Sequence, residues 1–214
     1  MAENHPDRSV PLVVDLDGTL LLSDLLDESF LAALSARPFA ALASLGPLLS
    51  GDRAGLKRRL ARISALDPTL VPFREDLVAH LRAEKEKGRR LVLATASDEL
   101  LAGPLAASFG LFDEVLASDG ASNLGGEAKR ALLVSRFGEK GFDYAGDRRA
   151  DLPVFRSARN ALLAGGGVGL RAEIESGGTP VAATFPGPDS GPRALLGALR
   201  VRQWVKNVLV FVPL

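Results

Sequence analysis

The chain has 214 residues, of which 47% are hydrophobic and 24% charged, so it is long enough for one large α/β domain or for a domain with a smaller insertion. Lysines and arginines number 26, as do aspartates and glutamates, so no net charge attracts nucleic acid. There is no cysteine, which excludes disulfides and thiolate zinc sites and fits a reducing cytoplasm.

Strand-like and helix-like segments alternate along the chain. The first ten residues are polar and unlike a signal peptide. An apolar strand is predicted over Leu12–Asp15, and a helical pattern rich in leucine and alanine runs from Leu21 to Leu70. The later predicted elements are helices at 75–87, 98–109 and 127–137 and strands at 89–97, 112–118, 142–147, 160–165 and 180–185. This alternation predicts an α/β fold with a parallel sheet, helices on both faces and ligands at the carboxyl ends of the strands.

Two carboxylates follow the first predicted strand, in the stretch Asp15-Leu16-Asp17-Gly18. Because alternate side chains of a strand share a face, Asp15 and Asp17 are expected to point together at the ligand-binding end of the sheet. Gly18 lets the chain turn sharply behind them. Two carboxylates this close favour a shared proton or a cation between them. The alternative for this stretch alone is a polar strand end with a glycine turn.

Polar residues occur at three further predicted strand ends or helix starts. Thr95 lies just past a buried strand, where hydroxyl and N–H groups can hold a phosphate oxygen. Lys129 opens a helix, where the helix dipole does not favour a cation. Asp147 and Asp151 share one side of a first helical turn if a helix begins near Asp147. Taken singly, Thr95 and Asp147 are also explained as helix caps, and Lys129 as a surface residue.

Together and in this order, these residues resemble the four motifs of the haloacid dehalogenase (HAD) superfamily of phosphohydrolases. The resemblance covers roughly residues 12–185. Its motifs are Asp15-Leu16-Asp17-Gly18-Thr19-Leu20, then Thr95 after an apolar strand, then Lys129, then Gly146-Asp147 with Asp151. The resemblance implies a HAD-like Rossmannoid three-layer α/β fold with a parallel central sheet and an inserted helical C1 cap.

The resemblance also implies a role for each acid. Asp15 would be the nucleophile that forms an aspartyl-phosphate, and Asp17 would be the general acid/base. Mg²⁺ would be bound by Asp15, by the backbone carbonyl of Asp17 and by Asp147. Asp151 would be a further ligand or would contact the ligands. Asp17 also separates branches of the family, because the dehalogenase branch lacks an acid there and ion-pumping ATPases carry a threonine. Its presence indicates hydrolysis of a phosphate ester.

The phosphoryl group itself would be bound by Thr95, Lys129 and the Gly18 turn. Lys129 would also keep Asp15 ionised and in place. The implied substrate is a small phosphorylated metabolite.

A helical pattern of about fifty residues between the first two motifs resembles the family's C1 cap, a lid that excludes water. The predicted division is a core over 1–21 and 72–185 and a cap over 22–71. Ser23, Asp24 and Glu28 lie just beyond the nucleophile and could reach the substrate. Arg58 and Arg62 share a helical face and could bind a second anionic group. The alternative for this pair is a solvated basic face on a cap helix.

The last residues differ in composition from the rest. Residues 186–199 have linker composition, and residues 200–214 place basic residues and Trp204 before an apolar run, as at the cytoplasmic flank of a membrane helix. This last stretch resembles the start of UbiA-like prenyltransferases of the type that makes decaprenyl-phosphate phosphoribose. An amphipathic helix that docks on the domain is the alternative for this segment.

These features favour the phosphatase part of a longer membrane protein, in the cytoplasm at the inner face of the membrane. The substrate class would include sugar phosphates and polyprenyl-linked phosphosugars. The alternative for the whole chain is a non-catalytic cytoplasmic module that regulates or anchors a polyprenyl transferase. The full set of motif acids argues against that alternative.

Overall fold

The computed structural model of the chain describes residues 10–44, 53–64, 66–119, 122–165 and 167–186. Its strands are β1 (Leu12–Val14), β2 (Leu91–Asp98), β3 (Glu114–Ser118), β4 (Asp143–Gly146), β5 (Ala161–Ala164) and β6 (Val181–Phe185). They form one parallel sheet in the order β3-β2-β1-β4-β5-β6. The central strands β1 and β4 are buried along their whole length, as expected for a parallel sheet covered on both faces.

Helices cover both faces of this sheet. The α-helices of the described ranges are α1 (Leu25–Ala36), α2 (Pro38–Ala43), α3 (Arg53–Ile63), α4 (Glu75–Glu86), α5 (Glu99–Phe109), α6 (Gly126–Phe137), α7 (Leu152–Ser157) and α8 (Gly167–Ser176). Leu12 and Val14 pack with α4 and α5, whereas Val13 packs with α6, α7 and α8 on the other face. The predicted α/β class, with a parallel sheet between two helical layers, is therefore confirmed. Within the described ranges, no helix has both the length and the apolar character needed to cross a bilayer.

The order of the strands indicates where a ligand would bind. The chain leaves β1 for β2 on one side and later returns to β4 on the other, so the sheet has a topological switch point at β1. Ligands of open α/β sheets bind at such a point, outside the carboxyl ends of the strands. The segments that follow β1, β2 and β4 therefore meet at one edge of the sheet.

Helices α1, α2 and α3 form a separate group between β1 and β2. They share an apolar cluster of Ala33, Ala41, Leu56 and Leu60. The chain enters and leaves this group through a neck, where Leu21 and Phe73 form an antiparallel bridge. The neck coincides with the predicted boundaries of the cap, and no part of this group joins the main sheet. The division into a core and a cap over 22–71 stays a prediction.

The ends of several elements differ from those predicted. Strand β2 continues to Asp98, so Thr95 lies within the strand and not past it; a register shift against β3 accompanies this extension. Asp98 caps α5 by accepting a hydrogen bond from the Leu100 N–H at 3.0 Å. A 3₁₀ turn over Arg149–Asp151 leads into α7, which starts at Leu152 with Pro153 in its first turn, so Asp147 precedes the helical segment and does not share its first turn with Asp151. The proposed linker beyond Pro186 and the C-terminal segment lie outside the described residues.

Candidate active site

The turn after β1 carries the two acids of the first motif. Residues Leu16–Leu20 form a single irregular helical turn in which Asp17 and Gly18 leave helical geometry. Gly18 has a φ of +77°, which favours glycine, and a Cβ at this position would overlap the Asp147 carboxylate. Glycine is therefore needed here both for the turn and for the close approach of Asp147.

Lys129 lies beneath this turn and is only 2% exposed. Its Nζ donates to Asp15 Oδ1 at 2.7 Å, to the Tyr144 hydroxyl at 3.0 Å and to Asp151 Oδ1 at 3.3 Å. Burial alone would lower the pKa of Lys129, but the carboxylates of Asp15 and Asp151 outweigh burial and raise it. The side chain is therefore a cation at neutral pH, fixed against Asp15.

Three carboxylates converge beside Lys129. Asp15, Asp147 and Asp151 each offer an oxygen, and these oxygens lie within 4.8 Å of one another. The Thr19 hydroxyl lies 3.3 Å from Asp15 Oδ2 and 3.1 Å from Asp147 Oδ1, a contact that the sequence did not indicate. Three carboxylates partly shielded from water match the oxygen ligands that Mg²⁺ prefers, so these residues fit the implied metal.

The same two causes raise the pKa values of Asp147 and Asp151. Burial, followed by the charge of Asp15, raises the pKa of Asp147 to about 6. The same two causes raise the pKa of Asp151, although Lys129 opposes them. Lys129 alone therefore does not neutralise the cluster, and a bound cation would favour the ionised form of each acid.

The prediction that the Asp15 and Asp17 side chains point together is wrong: the Asp17 carboxylate is not part of this cluster and is hydrogen-bonded to the start of α1 and to β2. Its Oδ1 accepts a hydrogen bond from the Leu25 N–H at 2.7 Å, and its Oδ2 accepts one from the Ser97 hydroxyl at 2.6 Å. The Thr95 hydroxyl lies 3.5 Å from the same oxygen. Burial raises the pKa of Asp17 to about 6, with Ser97 lowering it and Asp15 raising it. An acid of this pKa can gain and lose a proton near neutral pH, as general acid/base chemistry requires.

Helix α3 reaches the edge of the site with two basic residues. Arg58 donates to Asp98 Oδ1 at 3.1 Å and to Glu99 Oε1 at 3.0 Å, so its guanidinium is engaged by carboxylates of the core. Lys57, which the sequence reasoning missed, donates to the Ala96 carbonyl at 2.7 Å. Arg62 is exposed on the same helix. Binding of a second anion by Arg58 and Arg62 stays a prediction.

The residues after the first motif lie at the start of α1. Asp24 caps α1 by accepting from the Leu26 N–H at 2.9 Å, and its other oxygen lies 3.5 Å from Arg148 Nη1. Glu28 is half-buried on α1. The buried Ser23 hydroxyl has no hydrogen-bond partner within the part of the chain that the structure describes. Substrate contacts by these residues also stay predictions.

Arg74, a buried cation, supports the turn after β1. Arg74 is 6% exposed, and its guanidinium donates to the carbonyls of Thr19 and Gly18, each at 3.1 Å, and to that of Pro186 at 2.7 Å. These bonds hold the turn that carries Asp17. Nothing in the sequence around Arg74 indicated this role, because it depends on contacts between segments more than fifty residues apart.

Known proteins share this chain's sequence pattern. The sequence profile of the haloacid dehalogenase-like hydrolases matches residues 12–156. The chain is also 38% identical over 208 residues to the Uncharacterized protein y4nM of Sinorhizobium fredii (strain NBRC 101917 / NGR234). The match covers 97% of this chain, and the chain spans only 40% of that relative's length.

Solved structures share the fold at low sequence identity. A substrate-bound phosphoserine phosphatase has a TM-score of 0.55 at 14% identity, with 89% of this chain and 98% of that chain covered. A predicted phosphatase from Clostridium acetobutylicum has a TM-score of 0.55 at 16% identity, with 94% and 99% covered. The profile spans most of the residues that form the sheet and all four motifs. The chain therefore belongs to the haloacid dehalogenase-like hydrolase family.

Proposed function

We propose that the chain is a Mg²⁺-dependent phosphomonoester hydrolase that acts through an aspartyl-phosphate. The observation that carries this proposal is the convergence of Asp15, Asp147 and Asp151 around the buried cation Lys129. A phosphoryl group brings negative charge into a site, and a lysine together with a metal held by carboxylates would neutralise it. The phosphatases among the structures of similar fold support the same reaction class.

The metal would be held by Asp15, Asp147, Asp151 and the backbone carbonyl of Asp17, and it would supply positive charge next to the phosphoryl oxygens. In the first step an Asp15 oxygen bonds to phosphorus while the bond to the ester oxygen breaks. Asp17 donates its proton to that leaving oxygen. In the second step Asp17 takes a proton from water, whose oxygen bonds to phosphorus and releases inorganic phosphate and the Asp15 carboxylate.

The test is hydrolysis of p-nitrophenyl phosphate by the purified chain with Mg²⁺ and with EDTA. Turnover with Mg²⁺ that is lost in EDTA supports the proposal. Asp15→Asn should be inactive, whereas Asp27→Asn, the same change at an exposed acid on α1, should retain activity. Full turnover in EDTA or by Asp15→Asn would contradict the proposed metal or nucleophile.

For the substrate we propose a phosphomonoester that a polyprenyl-dependent transferase makes or uses, with pentose phosphates as the leading candidates. The resemblance of residues 200–214 to a prenyltransferase start supports this idea, because a tethered phosphatase meets the transferase product at high effective concentration. The test is a panel of sugar phosphates, polyprenyl phosphoribose phosphate, phosphoserine and nucleotides. Preference for phosphoserine or nucleotides, without turnover of any pentose phosphate, would reject this substrate class and leave the phosphatase assignment intact.

The same resemblance supports a location at the cytoplasmic face of the membrane. The length of the Sinorhizobium relative, of which this chain spans 40%, supports a larger protein. Expression of the complete gene followed by membrane fractionation tests this location. Recovery of the phosphatase activity in the soluble fraction would contradict it.

A further inference from the structure

Tyr144 is the only tyrosine of the chain, and it is completely buried in β4. Its ring packs edge-on against Phe155, with centroids 5.1 Å apart and an interplanar angle of 79°. A Cβ on Gly146 would lie only 2.8 Å from Tyr144 Cε1, so the glycine makes room for the ring. The ring is thus held firmly in an apolar layer, with its hydroxyl directed at the site.

The hydroxyl accepts a hydrogen bond from Lys129 Nζ at 3.0 Å, so its own proton is not used in that contact. Burial, followed by the charges of Asp15 and Asp151, raises the pKa of Tyr144, so the phenol keeps this proton. Lys129 and Asp151 also contact each other, at 3.3 Å. Lys129 therefore connects the Tyr144 hydroxyl to Asp151 and to the cluster of acids. A phenylalanine would fill the same volume, so the hydroxyl serves these polar contacts and not the packing.

Lys129 has three hydrogens, which are directed at Asp15, Tyr144 and Asp151. A phosphoryl oxygen that binds to Lys129 must therefore take the place of one partner. The contact with Asp151 is the longest of the three and the easiest to give up. Because Lys129 only donates to the Tyr144 hydroxyl, the phenolic proton can be donated to the Asp151 carboxylate when Lys129 turns to the phosphoryl group.

We propose that Tyr144 is a positioning residue whose hydroxyl holds Lys129 and Asp151 in place and releases one lysine hydrogen for the phosphoryl oxygen. This inference deepens the proposed phosphatase function and rests on it. The proposal concerns only groups of this chain. The phenol orients Asp151, which would hold the metal, and Lys129, which would bind the phosphoryl group. It contacts neither the metal nor the phosphoryl group itself.

The variant that tests the proposal is Tyr144→Phe, which removes only the hydroxyl. Loss of a group that orients metal ligands costs about 10-fold or more in activity or metal affinity, so kcat should fall about 10-fold with little change in KM. Isothermal titration of the phosphate-free protein with Mg²⁺ should show a Kd raised to a similar degree. Phe142→Leu, in the same apolar cluster, is the control: it should lower Tm but change kcat and the Mg²⁺ Kd less than about twofold.

A second measurement uses the wild-type chain and does not depend on the folding of a variant. Protein labelled with ¹³C at the tyrosine ζ carbon should give a single resonance, because Tyr144 is the only tyrosine. That resonance should shift when Mg²⁺ is added, and again with beryllium fluoride, a mimic of the phosphoryl group.

An unchanged resonance, or a Tyr144→Phe variant with wild-type kcat and Mg²⁺ Kd, would overturn the proposal. If the wild-type chain hydrolyses no phosphate ester, the phosphatase function fails, but the calorimetry and the resonance still test the link from Tyr144 to Asp151.

Discussion

Asp15 and Asp17 belong to one motif but meet different surroundings. Asp15 is paired with Lys129 at 2.7 Å, whereas Asp17 is turned to Ser97 and the start of α1. Burial without a cationic partner favours the protonated form of a carboxyl group. The pKa of about 6 for Asp17 follows mainly from its burial. These different surroundings suit the roles proposed for the two residues, Asp15 as nucleophile and Asp17 as general acid.

This difference predicts a pH dependence of stability in EDTA. The folded-state pKa of Asp17 is about 6, against 3.8 for an unperturbed aspartate. Between these values the folded state holds the proton and the unfolded state does not, so the free energy of unfolding falls as the pH rises through this window. The Asp17→Asn variant lacks this titrating group and therefore lacks this fall in the free energy of unfolding. The Tm of the variant minus that of the wild type should therefore increase between about pH 4 and about pH 7.

The control for this prediction is Asp27→Asn, at an exposed acid, whose Tm difference should stay constant with pH. A difference for Asp17→Asn that is flat, or that decreases as the pH rises, would show that Asp17 is not protonated by burial.

Gly18 provides a second prediction at this scale. Gly18→Ala places a methyl group against the Asp147 carboxylate, so Asp147 must move and Mg²⁺ binding should weaken. Gly88→Ala is a matched control, because Gly88 has a similar φ of +82° but no atom within 4 Å of the added Cβ. Both variants carry the backbone strain of about 1 kcal/mol, and only Gly18→Ala should raise the Mg²⁺ Kd in a calorimetric titration. Equal affinities in the two variants would refute the displacement of Asp147.

At the scale of elements, α3 is attached to the core by side chains and not by an apolar interface alone. Arg58 bridges to Asp98 and Glu99 at the start of α5, and Lys57 reaches the Ala96 carbonyl in β2. Ala96 lies between Thr95 and Ser97, the two hydroxyl residues beside Asp17. The position of α3 is thereby linked to the surroundings of the proposed general acid.

We propose that the helical group closes over the substrate as a cap, and we predict that Arg58→Met loosens α3 and raises KM more than it lowers kcat. Limited proteolysis should cut the variant faster within 22–71. Arg59→Met, at an exposed neighbour on the same helix, is the control and should match the wild type in both measurements. An Arg58→Met variant with wild-type KM and proteolysis rate would show that the ion pairs do not fix α3.

The sequence was sufficient to predict the sheet, its helical layers and the meeting of Asp15, Asp147 and Asp151 at one edge, but not the separate position of the Asp17 side chain. These features depend on local patterns, namely apolar runs that end in polar residues, and on the rule that parallel strands present their carboxyl ends at one edge. Asp147 and Asp151 follow β4 and meet Asp15 after β1 because β1 and β4 are neighbours. Strand ends were less predictable: β2 runs one residue beyond its predicted end, to Asp98, through its pairing with β3, which no local pattern encodes.

Supporting residues escaped prediction for the same physical reason. Ser97, Arg74 and Tyr144 contact site residues across more than ten positions of sequence, and each has an ordinary local context. A serine after a strand is usually a helix cap, and a tyrosine in an apolar strand is usually core. Only their placement in three dimensions shows which polar group each one serves.

At the scale of the whole molecule, the two ends of the sheet differ in how their buried charges are paired. At the amino end, the buried Asp143 accepts hydrogen bonds from Arg89 and Arg159, and Arg89 also pairs with the buried Glu84 at 3.0 Å. Burial would raise the pKa of Asp143, but the two arginines outweigh it and lower the pKa. These charges are matched, whereas the acids at the carboxyl end outnumber their cations. Paired charges at one end favour structure, and unmatched acids at the other favour binding of a cation.

The central claim is that Asp15 forms a covalent phosphoenzyme, and chemical trapping tests it most directly. The chain is incubated with Mg²⁺ and p-nitrophenyl phosphate, quenched in acid and reduced with borohydride, which converts an aspartyl-phosphate to homoserine. Peptide mass spectrometry then locates the modified residue. We predict homoserine at position 15, more of it in Asp17→Asn, where the second step is slow, and none in EDTA. Turnover without homoserine at any position, or homoserine at another aspartate, would contradict the account.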